Sequence, residues 1–223
     1  MIAILIWPLI VGLVVLLGGA RLNRIRPGLA ATVCATVPGV TLIWLLSKLK
    51  GVNRGDVVTA HVSWMPELGV DLDLRLDGLS AVMVLLAAGI GLAVFIYSAG
   101  YFDSADPRVG RLLGLLTLFG GAMVGLVLAD NLLVIYGFWE LTSITSFLLI
   151  GNAHRDARAR AAALQALLVT GAGGLAMLAG FIVLGQAAGT FRLSELLASP
   201  PEVTTTVGVA LVLILVGAFT KSA

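Results

Sequence analysis

The chain has 223 residues, 59% of them hydrophobic and only 12% charged, with a net charge of +2 and a mean hydropathy of +1.07. Soluble domains are about half apolar and about a quarter charged, so this much apolar surface excludes an ordinary soluble globular fold. One cysteine (Cys34) and two well-separated histidines (His61, His154) exclude a disulfide framework and a Cys/His metal site, and no cofactor-binding motif is present.

A helix needs about 20 mostly apolar residues to cross the hydrocarbon of a bilayer. Seven windows meet that requirement: residues 4–20, 29–49, 79–97, 112–128, 132–150, 162–187 and 207–221. They are too long and too continuously apolar for barrel strands, which alternate lipid-facing and lumen-facing residues. The expected fold is therefore all-α, a polytopic transmembrane helical bundle of about seven spans. The first window lacks the basic flank and the small-residue cleavage site of a signal peptide, and it reads as a retained span.

The loops carry the orientation signal. Arg21, Arg24 and Arg26, then Arg108 and Arg111, then Arg155, Arg158 and Arg160 fill the first, third and fifth loops. The second and last loops hold Lys48, Lys50, Arg54, Arg75 and Arg192 over a greater length. This bias predicts a cytoplasmic location for the arginine-rich loops and an outside N-terminus. The arginines read as topology signals beside lipid headgroups rather than as a nucleic-acid patch.

Between the second and third windows, Val70-Asp-Leu-Asp-Leu-Arg-Leu76 alternates with period two, as a half-buried strand does. Pro66 and Gly69 supply turn positions before it, which predicts a short β-hairpin over the helix ends. Asp77, just ahead of Gly78-Leu-Ser80, is placed to cap the third span. Asp130 and Asn131 stand at the mouth of the fifth, either as caps or as the vestibule of a polar path. In the sixth, Gly171-Ala-Gly-Gly174 reads as a site of close helix packing, since no strand precedes it and no phosphate-loop lysine follows.

Two charges lie within windows. Glu140 is roughly 14 Å along the fifth helix from Asn131, near mid-bilayer. Helical spacing puts Tyr136 and Ser143 on its face, and Gly137 leaves room for a neighbour. A carboxyl there can take up and release a proton, as a relay requires; the alternative is a neutral, hydrogen-bonded structural group. Lys221 is roughly 21 Å into the seventh window, at a depth similar to Glu140. It either pairs with Glu140 or snorkels to the helix end. His154 is a further candidate proton carrier in the arginine-rich fifth loop.

Particular strings go beyond composition. Asp77-Gly-Leu-Ser80, Tyr97-Ser98 with Tyr101-Phe102, Phe138-Trp-Glu-Leu-Thr-Ser143, Phe147-Leu-Leu-Ile-Gly151 and Gly217-Ala-Phe-Thr-Lys-Ser222 resemble the antiporter-like subunits shared by respiratory complex I and Mrp-type antiporters. The stretch Ala166-Leu-Leu-Val-Thr-Gly-Ala-Gly-Gly-Leu-Ala176 is most similar to the A-subunit family of Mrp-type Na+(Li+, K+)/H+ antiporters. The resemblance implies that Glu140 and Lys221 are the paired groups of a proton path; Tyr136, Ser143, Asp130 and His154 stay possible supporting residues on their positions alone. It implies a secondary transporter subunit rather than an enzyme, partnered by other subunits of a hetero-oligomeric complex in a bacterial inner membrane. A proton-translocating subunit of a complex I or membrane-hydrogenase type is the alternative. In the family the chain continues into an inverted repeat, so these residues are expected to form the N-terminal part of a longer subunit. Residues 1–76 would supply two leading helices and an outer loop, and residues 77–223 the opening of the ion-translocating domain.

Overall fold

The computed structural model describes residues 1–65, 67, 69–103, 106, 108–153 and 155–222. Among them, six helices are long and apolar enough to cross a membrane: α1 (Ile2–Ile25), α2 (Leu29–Val52), α3 (Gly78–Tyr101), α4 (Arg108–Leu128), α5 (Leu132–Ile150) and α6 (Ala157–Ala188). The seventh window is occupied by α8 (Thr205–Lys221), an apolar helix of 17 residues that is shorter than the others. Helix α6 begins five residues before the apolar window, because Asp156 accepts the Arg158 N–H and caps a polar first turn. A short helix, α7 (Leu193–Ala198), follows it and has no counterpart in the apolar pattern.

The second loop forms a hairpin of β1 (Val58–Met65) and antiparallel β2 (Val70–Leu76). Gly69 supplies the left-handed turn residue, with φ at +68°, while Pro66 lies outside the described residues. The alternation in β2 has the expected consequence. Leu74 and Leu76 are fully buried in a cluster with Ile4 and Leu5 of α1, Leu45 of α2, Val84 of α3 and Leu128 of α4. The hairpin thus plugs the apolar gap between the ends of four helices.

Main-chain bonds extend this platform sideways. The Asp130 N–H donates to the Asp73 carbonyl at 2.8 Å, Leu132 N–H to the Phe191 carbonyl at 2.9 Å, and Leu193 N–H to the Asp130 carbonyl at 2.8 Å. The connection between α4 and α5 is therefore held between β2 and the segment leading into α7. Asp73 locks the assembly through its carboxylate, which accepts two bonds from Arg192, Nε at 3.0 Å and Nη2 at 3.1 Å, and contacts His61 Nδ1 at 2.7 Å. This forked arrangement is the strong, directional form of an arginine–carboxylate pair.

Within the bilayer depth, helices meet at small residues. A Cβ on Gly114 of α4 would stand 2.6 Å from the Leu16 nitrogen of α1, and one on Gly110 would stand 2.8 Å from the Ala20 nitrogen. The two backbones touch, so α1 lies along α4 although it is distant in sequence. Lipid tails are as apolar as leucine, and close van der Waals approach of this kind drives association between helices in a membrane.

Asp77 caps α3 in a reciprocal box. Its carboxylate accepts the Ser80 N–H at 3.0 Å and its own N–H donates to Ser80 Oγ at 2.7 Å. The Ser80 N–H, helped by the neighbouring Arg75 guanidinium, holds the Asp77 carboxyl below the usual carboxylate range. Replacing it (Asp77→Ala) is expected to cost about 0.5–2 kcal/mol near neutral pH. Because the folded carboxyl titrates below its unfolded value of about 3.9, that contribution is present above the unfolded pKa and is lost as pH falls through the folded one. Thermal unfolding of both proteins in detergent, followed from neutral to acid pH, should show the difference closing; a gap undiminished in acid would mean the ionised cap contributes nothing.

Candidate ion-translocating site

Helix α5 starts where the platform fixes it. Asn131 Oδ1 accepts the Leu133 N–H at 3.0 Å and that of Val134 at 3.4 Å, and its Nδ2 donates to the Gly69 carbonyl at 2.9 Å. Asp130 turns away from α5. Its carboxylate accepts the Ser194 N–H at 2.9 Å and the Ser194 hydroxyl at 2.6 Å, so it caps α7. Both residues are buried and hydrogen-bonded. Neither points along α5 toward Glu140.

Glu140 occupies the middle of α5 and faces α6. A Cβ on Gly174 would collide with its Oε1 and would come near the Tyr136 ring, so the glycine leaves the space that the carboxyl fills. Tyr136 sits on the same side, packed against Leu132, Met177, Phe181 and Leu196. The Glu140 Oε1 atom is buried and has no hydrogen-bond partner among the described residues, and no described cation lies within ion-pair distance of the carboxyl. A buried polar atom left without a partner is uncommon in native proteins, and among the described residues Trp139 Nε1 and Asn152 Oδ1 share that condition.

Lys221 reaches the same level of α5 from α8. Its Nζ donates to the Trp139 carbonyl at 2.9 Å, to Ser143 Oγ at 2.9 Å and to Thr142 Oγ1, and it lies 4.5 Å from the centre of the Trp139 ring. The side chain is therefore turned into the bundle, not toward the helix end. It stays within electrostatic range of Glu140 but does not pair with it. On a helix of 3.6 residues per turn, Trp139 lies about 100° around the axis from Glu140, so ammonium and carboxyl occupy adjacent sectors of α5.

The sequence pattern named Glu140, Lys221, Tyr136 and Ser143, and the structure gathers all four around the centre of α5. Ser143 serves Lys221 rather than Glu140. His154 lies outside the described residues. Gly137 faces open space, so the small residue that admits Glu140 is on α6 instead, Gly174, and its neighbour Gly173 makes room for Thr220 of α8. Trp139 and Thr142 escaped notice because they lie off the Glu140 face. Trp139 lies one helical turn before both Thr142 and Ser143, and that spacing is the signal that could have found them. Among the described residues no cluster of three His, Cys, Asp or Glu side chains is placed to hold a metal ion.

Residues 129–223 match the family described as NADH:quinone oxidoreductase/Mrp antiporter, TM, and residues 64–112 match NADH-Ubiquinone oxidoreductase (complex I), chain 5 N-terminus. The chain is 42% identical over 189 residues to the A1 subunit of the Na(+)/H(+) antiporter of Staphylococcus haemolyticus, an alignment that covers 84% of this chain and 23% of that protein. The chain belongs to the antiporter-like membrane-subunit family shared by Mrp antiporters and complex I. It is also 44% identical over 174 residues to the A/B subunit of a probable K(+)/H(+) antiporter of Rhizobium meliloti, covering 77% of this chain and 17% of the relative. The Mrp complex of a Dietzia species contains a chain of matching fold, with a TM-score of 0.83 and 36% identity over 98% of this chain and 24% of that one. Complex I of Thermus thermophilus gives a TM-score of 0.73 at 26% identity, over 96% of this chain and 42% of its counterpart. The chain thus spans 17% to 24% of the length of these antiporter relatives.

Helix α8 carries Lys221 to α5 only because it lies close along α6. A Cβ on Gly180 would stand 2.7 Å from the Ala210 carbonyl and 3.0 Å from the Ile214 nitrogen, both backbone atoms that cannot swing aside. Gly180→Ala is expected to destabilise the bundle by about 1–3 kcal/mol. By contrast, Gly171→Ala, which meets open space on the same helix, should be neutral or stabilising by up to about 1 kcal/mol. Thermal unfolding of the two variants in detergent, side by side, measures the difference.

Proposed function

We propose that this chain is the opening part of the ion-translocating subunit of a multi-subunit cation/proton antiporter in a bacterial inner membrane, exporting Na+ (or Li+ or K+) in exchange for protons. The observation that carries the reading is the buried, unpartnered Glu140 carboxyl oxygen midway along a membrane helix, within electrostatic range of the Lys221 ammonium. Glu140 loads and releases protons, and movement of Lys221 toward or away from it changes its hold on them. A membrane potential of about 100 mV supplies about 2.3 kcal/mol for each charge moved. Names of relatives support the cation side: one belongs to a Na(+)/H(+) antiporter and the other to a probable K(+)/H(+) antiporter.

The eight arginines near residues 21–26, 108–111 and 155–160 support a cytoplasmic location for the bundle end opposite the hairpin, with the N-terminus outside. In this reading residues 1–76 form two leading helices with the outer hairpin, and residues 77–223 begin the translocating domain. Other subunits of a hetero-oligomeric complex complete the path.

A second reading, a proton-translocating subunit of a redox-driven assembly, is favoured by the complex I match at residues 64–112 and by the Thermus thermophilus fold. The two differ in what drives the proton. In everted vesicles bearing the complete assembly, adding Na+ to a preformed proton gradient should dissipate it, and Glu140→Gln should assemble normally yet reduce that response about tenfold or more. A gradient indifferent to every alkali cation but dependent on a redox substrate would favour the second reading. Full antiport in Glu140→Gln would remove Glu140 from the mechanism.

A further inference from the structure

We propose that the three oxygens around the Lys221 ammonium, the Trp139 carbonyl, Thr142 Oγ1 and Ser143 Oγ, form a binding site for a partly hydrated alkali cation, held in this structure by the lysine as an internal competitor. The inference rests on the antiport reading above and adds the place where the cation binds.

The ligand set is the first argument. All three atoms are neutral oxygens, and hard cations bind to oxygen. Thr142 and Ser143 are buried, so the cluster opens inward from α5 rather than to lipid. The hydroxyl protons are already used: Thr142 Oγ1 donates to the Trp139 carbonyl at 2.7 Å, and Ser143 Oγ donates to the same carbonyl at 3.2 Å. Each hydroxyl therefore turns its lone pairs toward the space that Nζ fills, and the carbonyl, shared with both hydroxyls, completes the cluster at 2.9 Å from Nζ. The Trp139 ring, 4.5 Å from Nζ, adds a face that attracts cations of any kind.

The occupant is the second argument. A buried lysine within range of a carboxylate ordinarily pairs with it, since charge-assisted bonds are roughly twice as strong as neutral ones. Here the ammonium takes three neutral oxygens and leaves Glu140 Oε1 without a partner. The cluster thus holds a compact monovalent cation beside the carboxyl by neutral oxygens alone. An ammonium is such a cation on a tether. Two like charges cannot share three oxygens, so an alkali ion and the Lys221 head exclude one another. Arrival of the ion sends the ammonium toward Glu140, and return of the ammonium expels the ion. That mutual exclusion links cation binding to the state of the proton-carrying carboxyl without any further residue.

The test uses the complete assembly in two formats. Equilibrium binding of radioactive Na+ to a Lys221→Met assembly should be saturable, and should be lost when Thr142→Val and Ser143→Ala are added. In proteoliposomes with Lys221 intact, the same two substitutions should raise the apparent KM for Na+ about tenfold and alter the preference between Na+ and K+, while Thr142→Ser alone keeps both near their original values. No saturable binding to the Lys221→Met assembly, or binding that survives loss of both hydroxyls, overturns the site. So does a fall in maximal rate at unchanged KM and selectivity, because a cluster that merely positions the lysine predicts that pattern. Binding is read without transport, so loss of the antiport reading through the Glu140→Gln experiment remains a separate result.

Discussion

Close approach of helix backbones at small residues is the constraint on which the rest of this structure depends. In a bilayer, leucine on leucine gains little over leucine on lipid, so helices associate where glycine lets main chains touch. Gly110 and Gly114 seat α4 against α1, and Gly180 and Gly217 seat α8 against α6. These contacts fix the sliding register of each pair. They thereby decide that Lys221, on a helix that packs chiefly against α6, arrives at the level of Trp139 and not a turn above or below.

The second determinant is the accounting of polar groups at the hairpin end. Chain reversals there place backbone donors and acceptors beside an apolar interior, and each must find a partner. The segments around residues 73, 130 and 192 solve this by bonding to one another, with the Asp73–Arg192 fork as the clasp. The consequence reaches the site. Helix α5 begins at a residue held from three directions, so Glu140, some two turns further in, is carried on a fixed post. In the proposed relay the helix that carries Glu140 is the fixed part, and the long side chain of Lys221 is the part that would move.

Charge inside lipid is costly, and this protein tolerates it by surrounding each charged group with something specific. Glu140 has a glycine-sized recess on α6, and Lys221 has three oxygens and an aromatic face on α5. The two arrangements differ in kind. The lysine is fully satisfied where it stands, whereas one carboxyl oxygen has no partner among the described residues, so the pair is asymmetric. A relay needs that asymmetry, since a carboxyl locked into a permanent ion pair would have no reason to exchange its proton.

The sequence by itself determined the environment, the helices and the identity of the charged residues. Long apolar runs leave only lipid as solvent, the period-two stretch at residues 70–76 can be half-buried only as a strand, and Glu140 stands out as an acidic group in the middle of an apolar helix. Local chemistry sufficed for the Asp77 cap, because its partner Ser80 is three residues away. The tertiary structure alone decided which groups meet. That Asp130 caps α7, that Arg192 clasps Asp73, and that Lys221 rests on Trp139, Thr142 and Ser143 instead of Glu140 all join residues roughly 60 to 120 positions apart. Periodicity assigns a residue to a face of its own helix but carries no record of which helix lies opposite. That choice is made by the glycine contacts, whose partners on other helices become visible only when the bundle is assembled.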